Sequence, residues 1–270
     1  ILPGVWDPLA AMLAVEAGFD GVFLSGFATS ATLLGLPDLG YMTQTEIADA
    51  ARRVCRRVGG APVLVDTDTG YGNALNVSRT VELLEGAGAA GMVLEDQVWP
   101  KRCGHLAGKR VVAAEDWLLK LQAAVDERET LFVVARTDAR GAIGIDEAIE
   151  RARRAADLGV DAVLVEAPAS VAEFEQVAAA VDGPVLVANM VESGRTPLLD
   201  TAELRDLGFS IMLSSVAGLF ASTKAVLGFW TQLRKHGTSR DHLEEMATFE
   251  EFGALIRTDD HHELEARYTD

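Results

Sequence analysis

Four acidic residues carry the first chemical signal. Asp66 and Asp68 sit two apart in VDTDTGYG, Glu95 closes the apolar run GMVLE, and Asp38 lies in GLPDLG. On an extended strand, positions two apart face one side, so Asp66 and Asp68 are expected to point together. Carboxylates packed together rise in pKa unless a cation neutralises them. A hard, oxygen-seeking ion such as Mg²⁺ meets that need and takes one or two carboxylates directly. Mn²⁺ shares the same ligand preference. The plain alternative is that DTDTGYG is a turn bonded to its own side chains.

The second signal is the loop Lys101-Arg102-Cys103-Gly104-His105. Two cations and a histidine flank one thiol. Such a setting lowers a thiol pKa and suits Cys103 to proton donation or nucleophilic attack. His105 reads as an electrostatic or hydrogen-bonding member of this loop. An incidental cysteine on a surface loop is the competing reading. Cys55 lies between arginines on a helical stretch and reads as inert.

Arg136 closes the apolar run FVVAR. A buried arginine needs an anionic partner. A substrate carboxylate held by both guanidinium arms is one candidate, and a permanent salt bridge to Glu166 or Asp138 is the other. Ser25-Gly26-Phe27 forms a small-residue turn whose N–H groups suit an oxyanion. Glu166, Asn189 and Ser215 complete the set, each placed just after an apolar run.

The elements that must position these groups are legible as alternation. Eight short β-branched runs are expected as strands: 1–5, 21–24, 62–66, 91–95, 131–136, 162–166, 185–189 and 210–213. Amphipathic stretches at 8–17, 75–87, 114–127, 145–158, 171–181 and 201–207 lie between them. Glycines after several of these stretches supply the left-handed cap that returns the chain to the sheet. Strands alternating with helices imply a parallel sheet, and eight units fit a closed (β/α)₈ TIM-type barrel. No GxGxxG follows the first strand, against a doubly wound nucleotide-binding sheet. From the second run to the eighth, the C-terminal end carries polar residues. In a barrel these ends meet on the rim that holds active sites. One domain spanning 1–270 is expected, with a charged helical extension from about residue 238.

Composition narrows the function. The 270 residues carry 24 Lys and Arg against 41 Asp and Glu, a net charge of −17. Such a surface repels phosphate backbones and anionic membranes, so nucleic acid is not an expected partner. No run of 18 apolar residues suggests a membrane span. Two cysteines without metal spacing fit a reducing cytoplasm. The chain begins at Ile1, which leaves any preceding signal open.

The segments VDTDTGYGNALNVSRTV, LEDQVWPKRCGH and ARTDA resemble the isocitrate lyase and phosphoenolpyruvate mutase superfamily. SGFATSATLLGLPDLG, VEAP and ANMVESGRTP extend the likeness over nearly the whole chain. The resemblance implies a (β/α)₈ barrel whose last helix is exchanged between subunits, usually in a tetramer. It implies Asp66 as the direct Mg²⁺ ligand, with Asp38, Asp68 and Glu95 acting mostly through water. It places Ser25, Gly26 and Phe27 in the substrate cradle, with Arg136, Glu166 and Asn189 reaching a small carboxylate substrate. It makes Lys101 to His105, Gly104 included, a mobile gating loop whose cysteine protonates a departing carbanion.

Within the superfamily the KRCGH cysteine points to carbon–carbon cleavage. Mutases and hydrolases of phosphonopyruvate generally lack it, although carboxyphosphonoenolpyruvate mutase keeps it. Methylisocitrate lyases usually carry proline where this chain has Ser215. Serine there is similar to oxaloacetate hydrolases, including those that also cleave 2-alkylmalates. Its hydroxyl can bond a hydrated ketone or cap the helix that follows.

Overall fold

The computed structural model describes residues 1–104 and 108–269; His105 lies outside the described residues. Eight parallel strands close into a barrel in sequence order: β1 Leu2–Val5, β2 Val22–Leu24, β3 Val63–Asp66, β4 Gly91–Glu95, β5 Phe132–Thr137, β6 Ala162–Val165, β7 Val185–Asn189 and β8 Ile211–Ser214. β1 pairs with both β2 and β8, which completes the ring. The (β/α)₈ expectation holds, with strand ends shifted by one residue or none.

The helices between strands follow the expected stretches. Pro8–Glu16 starts with proline after an Asp7 cap, and Ala74–Ala87 ends on left-handed Gly88. Gln44–Cys55 is a further helix, opened by a Thr43/Glu46 capping box. Its buried face is Ile47, Ala48, Ala51 and Val54, and Cys55 is half-buried at its end. Burial pushes the Cys55 thiol pKa up, as an inert cysteine requires.

Two apolar layers result from the period of two along each strand. Val22, Leu24, Val63, Val65, Met92 and Leu94 point outward into a large core shared with the helices. Phe23, Leu64, Val93, Val134, Leu164, Val187 and Leu213 point inward and fill the barrel. Such a barrel is a packed plug, and chemistry is confined to its rim.

The chain forms two compact units, Ile1–Leu219 and Phe220–Asp270. The first holds the barrel. The second holds most of helix Ala217–His236, a 3₁₀ turn at Arg240–Glu245, and helices Phe249–Leu255 and Thr258–Ala266. None of the helices among the described residues is long and apolar enough to cross a membrane.

Gly4 marks the tightest backbone approach in the ring. A Cβ there would overlap the main-chain carbonyl of Ser215. Gly4→Ala therefore forces β1 from the chain after β8. We expect a loss of roughly 1–3 kcal/mol, read from urea unfolding; unchanged stability would show that the approach relaxes freely.

Candidate active site

Each site residue at a strand's C-terminal end follows an inward-facing core residue by two positions. Phe23 precedes Ser25, Leu64 precedes Asp66, Val93 precedes Glu95, and Val134 precedes Arg136. Leu164 precedes Glu166, Val187 precedes Asn189, and Leu213 precedes Ser215. The pleat therefore stacks one polar layer directly on the apolar plug. Ser25, Phe27, Asp38, Asp66, Cys103, Gly104, Arg136, Glu166, Asn189 and Ser215 line one cavity of about 40 Å³. That is space for a few waters. A four-carbon dicarboxylate needs more room than that.

The acidic residues do gather, but not as strand alternation predicts. β3 ends at Asp66, and Asp68 follows in a left-handed turn with φ of 48°. Its N–H donates to Asp66 Oδ1 at 3.3 Å. Lys101 enters the cluster, its Nζ 2.5 Å from Asp38 Oδ1 and 2.8 Å from Asp68 Oδ1. Its ammonium is thus committed to carboxylates, a role different from tuning the thiol beside it. Burial pushes the Asp68 carboxyl up to about 7, with Asp66 and Asp38 adding to the rise against Lys101. Burial also raises Glu95 well above the usual carboxylate range, despite Arg136 and Lys101. Glu95 Oε1 is buried without a hydrogen-bond partner.

Segment 101–104 is docked at three points. Arg102 N–H donates to Gln97 Oε1 at 2.9 Å, and Gln97 Nε2 donates to the Arg102 carbonyl at 2.8 Å. Cys103 N–H donates to the Asp38 carbonyl at 3.2 Å. Gly104 needs its missing side chain: a Cβ would lie 2.5 Å from both Arg136 Nη2 and Glu166 Oε1.

Arg136 has the permanent partners that its burial requires. Its Nε lies 3.0 Å from Asp138 Oδ2 and 3.7 Å from Glu166 Oε2, and its Nη2 lies 3.4 Å from Glu95 Oε2. Asn189 Nδ2 donates to both Glu166 oxygens at 3.1 and 3.3 Å. Ser215 Oγ donates to Asn189 Oδ1 at 2.5 Å. Ser215 is thus joined to Glu166 through Asn189.

Residues 25–27 open a one-turn helix, Gly26–Thr29, with Ser25 Oγ accepting from Ala28 N–H. Gly26 N–H donates to Asp66 Oδ2 at 3.2 Å. A side chain on Gly26 would press on that same carboxylate, with Cβ 2.8 Å from Asp66 Oδ2. The turn therefore positions Asp66 as well as lining the cavity.

A barrel rim with this residue set has known relatives. The family profile described as Phosphoenolpyruvate phosphomutase matches residues 1–230. The chain belongs to the phosphoenolpyruvate phosphomutase family. It is an enzyme of the superfamily that joins these mutases to isocitrate lyases. It is 44% identical over 273 residues to the Petal death protein of Dianthus caryophyllus, covering 99% of this chain and 85% of that protein. It superposes on an oxaloacetate acetylhydrolase, solved with the inhibitor 3,3-difluorooxalacetate, with TM-score 0.94 and 35% identity over 100% of this chain and 92% of the other. A phosphonopyruvate hydrolase solved with oxalate and Mg²⁺ gives TM-score 0.88 and 28% identity over 99% and 93% of the two chains.

Two working residues lie outside the expected site set. Asp96 turns away from the cavity and accepts from Thr137 Oγ1 at 2.6 Å, Asp138 N–H at 2.8 Å and Arg151 Nη1 at 3.1 Å. It braces the β5 end that presents Arg136. Lys109 is buried against Asp138, with Nζ 2.9 Å from Oδ1. A loop lysine reads by default as a solvated charge, so the sequence holds no signal for it.

Removing Arg136 would take a counter-charge away from three buried acids. We expect Arg136→Met to destabilise the fold by roughly 3–5 kcal/mol, the usual cost of breaking a buried pair from one side. Chemical denaturation checks this, and a change under 1 kcal/mol would mean the acids are neutral or otherwise compensated.

Proposed function

We propose that the protein cleaves a carbon–carbon bond in a small 2-oxo or 2-hydroxy dicarboxylate. Its preferred reaction is hydrolysis of oxaloacetate to oxalate and acetate, with 2-alkylmalate cleavage as the related activity. The observation that carries this reading is the convergence of Cys103, Arg136 and Ser215 on one cavity. Arg136 offers the carboxylate-binding face. Ser215 offers a hydroxyl to a hydrated ketone, oriented by Asn189. Once one oxygen of the hydrated C2 has lost its proton, its electron pair closes the oxalate carboxyl as the C2–C3 bond breaks; the pair of that bond passes to the two-carbon fragment as an enolate, and the Cys103 thiol supplies the proton that makes acetate.

A divalent cation fits the residues present. Seven buried carboxylates face four buried cations among the described residues: Asp38, Asp66, Asp68, Glu95, Asp96, Asp138 and Glu166 against Lys101, Lys109, Arg136 and Arg151. Glu95 Oε1 still lacks a partner. Described side chains alone do not form a complete metal cage of three or more ligands. Mg²⁺ typically takes one or two carboxylates directly and keeps several waters. Asp66 would hold it directly, with Asp38, Asp68 and Glu95 through water, and Mn²⁺ would serve similarly. When bound, it supplies Lewis-acid stabilisation of the developing oxyanion.

A homotetramer with an exchanged C-terminal helix fits the second unit taken alone. Leu227, Trp230, Phe249 and Phe252 there are exposed, and exposed apolar side chains in this number mark association surfaces. The absence of a disulfide between the two cysteines fits a reducing cytoplasm.

The deciding assay offers oxaloacetate and (2R)-2-methylmalate side by side with Mg²⁺. Oxalate from oxaloacetate is the expected result, lost by at least tenfold in Cys103→Ser while oxalate still binds. Pyruvate from the alkylmalate alone would make the enzyme a lyase of the 2-methylisocitrate type. Inactivity on both, with turnover of a carboxyphosphonate, would make it a carboxyphosphonoenolpyruvate mutase.

Cation binding is also predicted to depend on pH. Asp68 is raised from an ordinary 3.8 to about 7, so without a cation it weakens folding as pH climbs through that window. Protons compete for the same oxygens below 7. Mg²⁺ should therefore raise the Tm more at pH 8 than at pH 6, and equal shifts would exclude Asp68 from the site.

A further inference from the structure

Lys109 is a buried lysine that the proposed chemistry does not use. Its side chain is 3% exposed and its Nζ has two partners. One is Asp138 Oδ1 on the barrel rim, at 2.9 Å; the other is the carbonyl of Gly104, in the wall of the cavity. Asp138 also accepts from Arg136 Nε at 3.0 Å and Nη2 at 3.3 Å. Burial alone would raise the Asp138 carboxyl, but Arg136 and Lys109 outweigh it and hold it below the usual range.

The backbone carrying Lys109 is fixed to the rim. Val98 N–H donates to the Arg110 carbonyl at 2.8 Å, and Val112 N–H donates to the Asp96 carbonyl at 2.9 Å. Its side chain runs past Gly141, where a Cβ would lie 3.0 Å from Cε and 3.1 Å from Nζ. Glycine there leaves room for the lysine stem. A buried ammonium is costly to desolvate and persists only where its partners are well placed. One of those partners belongs to the segment that moves under the proposed gating. When that segment lifts, Lys109 loses an acceptor, and the Asp138 carboxylate that it shares with Arg136 loses its tie to the cavity wall.

We propose that Lys109 is a positioning residue, a latch that fastens Gly104 to Asp138 and so ties closure of the Cys103 segment to the placement of Arg136. The inference rests on the proposed reading of Cys103 as the acid on a moving wall. Its test does not require turnover.

The test is the alkylation rate of each cysteine by iodoacetamide in the ligand-free protein, followed by peptide mass spectrometry. Cys55 is half-buried at the end of a helix and serves as the internal control. In Lys109→Met, Cys103 should react at least tenfold faster than in the unsubstituted protein, with Cys55 unchanged. Lys109→Gln, which keeps an amide donor, should shift Cys103 the same way by less, and covers the case where the methionine variant folds poorly. Acceleration of both cysteines together would mean general loosening, and equal Cys103 rates would mean no latch; either overturns the proposal. On a turned-over substrate the latch predicts a fall in kcat with little change in KM. If the unsubstituted protein does not turn over oxaloacetate, the substrate assignment fails and the alkylation result still decides the latch.

Discussion

The governing constraint is electrostatic. The rim of the barrel buries seven carboxylates and four cations within a few ångströms of an apolar plug. Charge of one sign cannot be left unbalanced at that depth without raising pKa values or unfolding the site. The first consequence is visible, since burial pushes Asp68 and Glu95 upward. Every other feature of the site answers this excess. Arg136 is shared among three acids, Arg151 is drawn in from its helix to Asp96, and Lys101 is inserted between Asp38 and Asp68. A hard divalent ion is the remaining answer, and Glu95 Oε1 is buried there without a hydrogen-bond partner.

The same excess links the cover to the cluster. Lys101 is both a neutraliser and the start of the segment that walls the cavity with Cys103 and Gly104. Lifting that segment withdraws an ammonium from two acids. Under the proposed gating, an open form would have a stronger demand for an external cation than the closed one. Under the proposed function, cation and substrate would enter during the same opening. The substrate's own negative charge then meets a site whose counter-charge has been restored, and closure returns Lys101 together with the acid thiol.

The fold and most of the site were legible because period two does the positioning. An apolar residue that fills the barrel forces the residue two places on to face the same interior one layer higher. Leu64 and Asp66, Val134 and Arg136, and Leu213 and Ser215 all obey that rule. The rule fails where the strand ends. Asp68 reaches the cluster through a left-handed turn that strand alternation does not describe. Lys101 is expected beside the Cys103 thiol and Lys109 carries no expectation, since nothing local to their sequence marks burial. Their positions depend on acids 29 to 63 residues away in the chain, and on the glycines that leave space for them. Long-range charge pairing of this kind is written in the fold and not in a window of sequence.

Ser215 shows how one residue can join framework and specificity. Its carbonyl sits against Gly4, where the ring closes, and its hydroxyl donates to Asn189. Asn189 in turn donates to Glu166, so the hydroxyl is the end of a short polar chain anchored on a buried acid. A proline at this position would keep the backbone path while removing the hydroxyl, leaving Asn189 Oδ1 without this donor. Cleavage of a tertiary alcohol needs no group to hold a second oxygen on the reacting carbon. Cleavage of a hydrated ketone does, because the gem-diol presents two. The serine hydroxyl accepts as well as donates. It can therefore keep Asn189 as its acceptor while receiving a hydrogen bond from the second diol oxygen, which is the physical reason to place oxaloacetate ahead of an alkylmalate at this site.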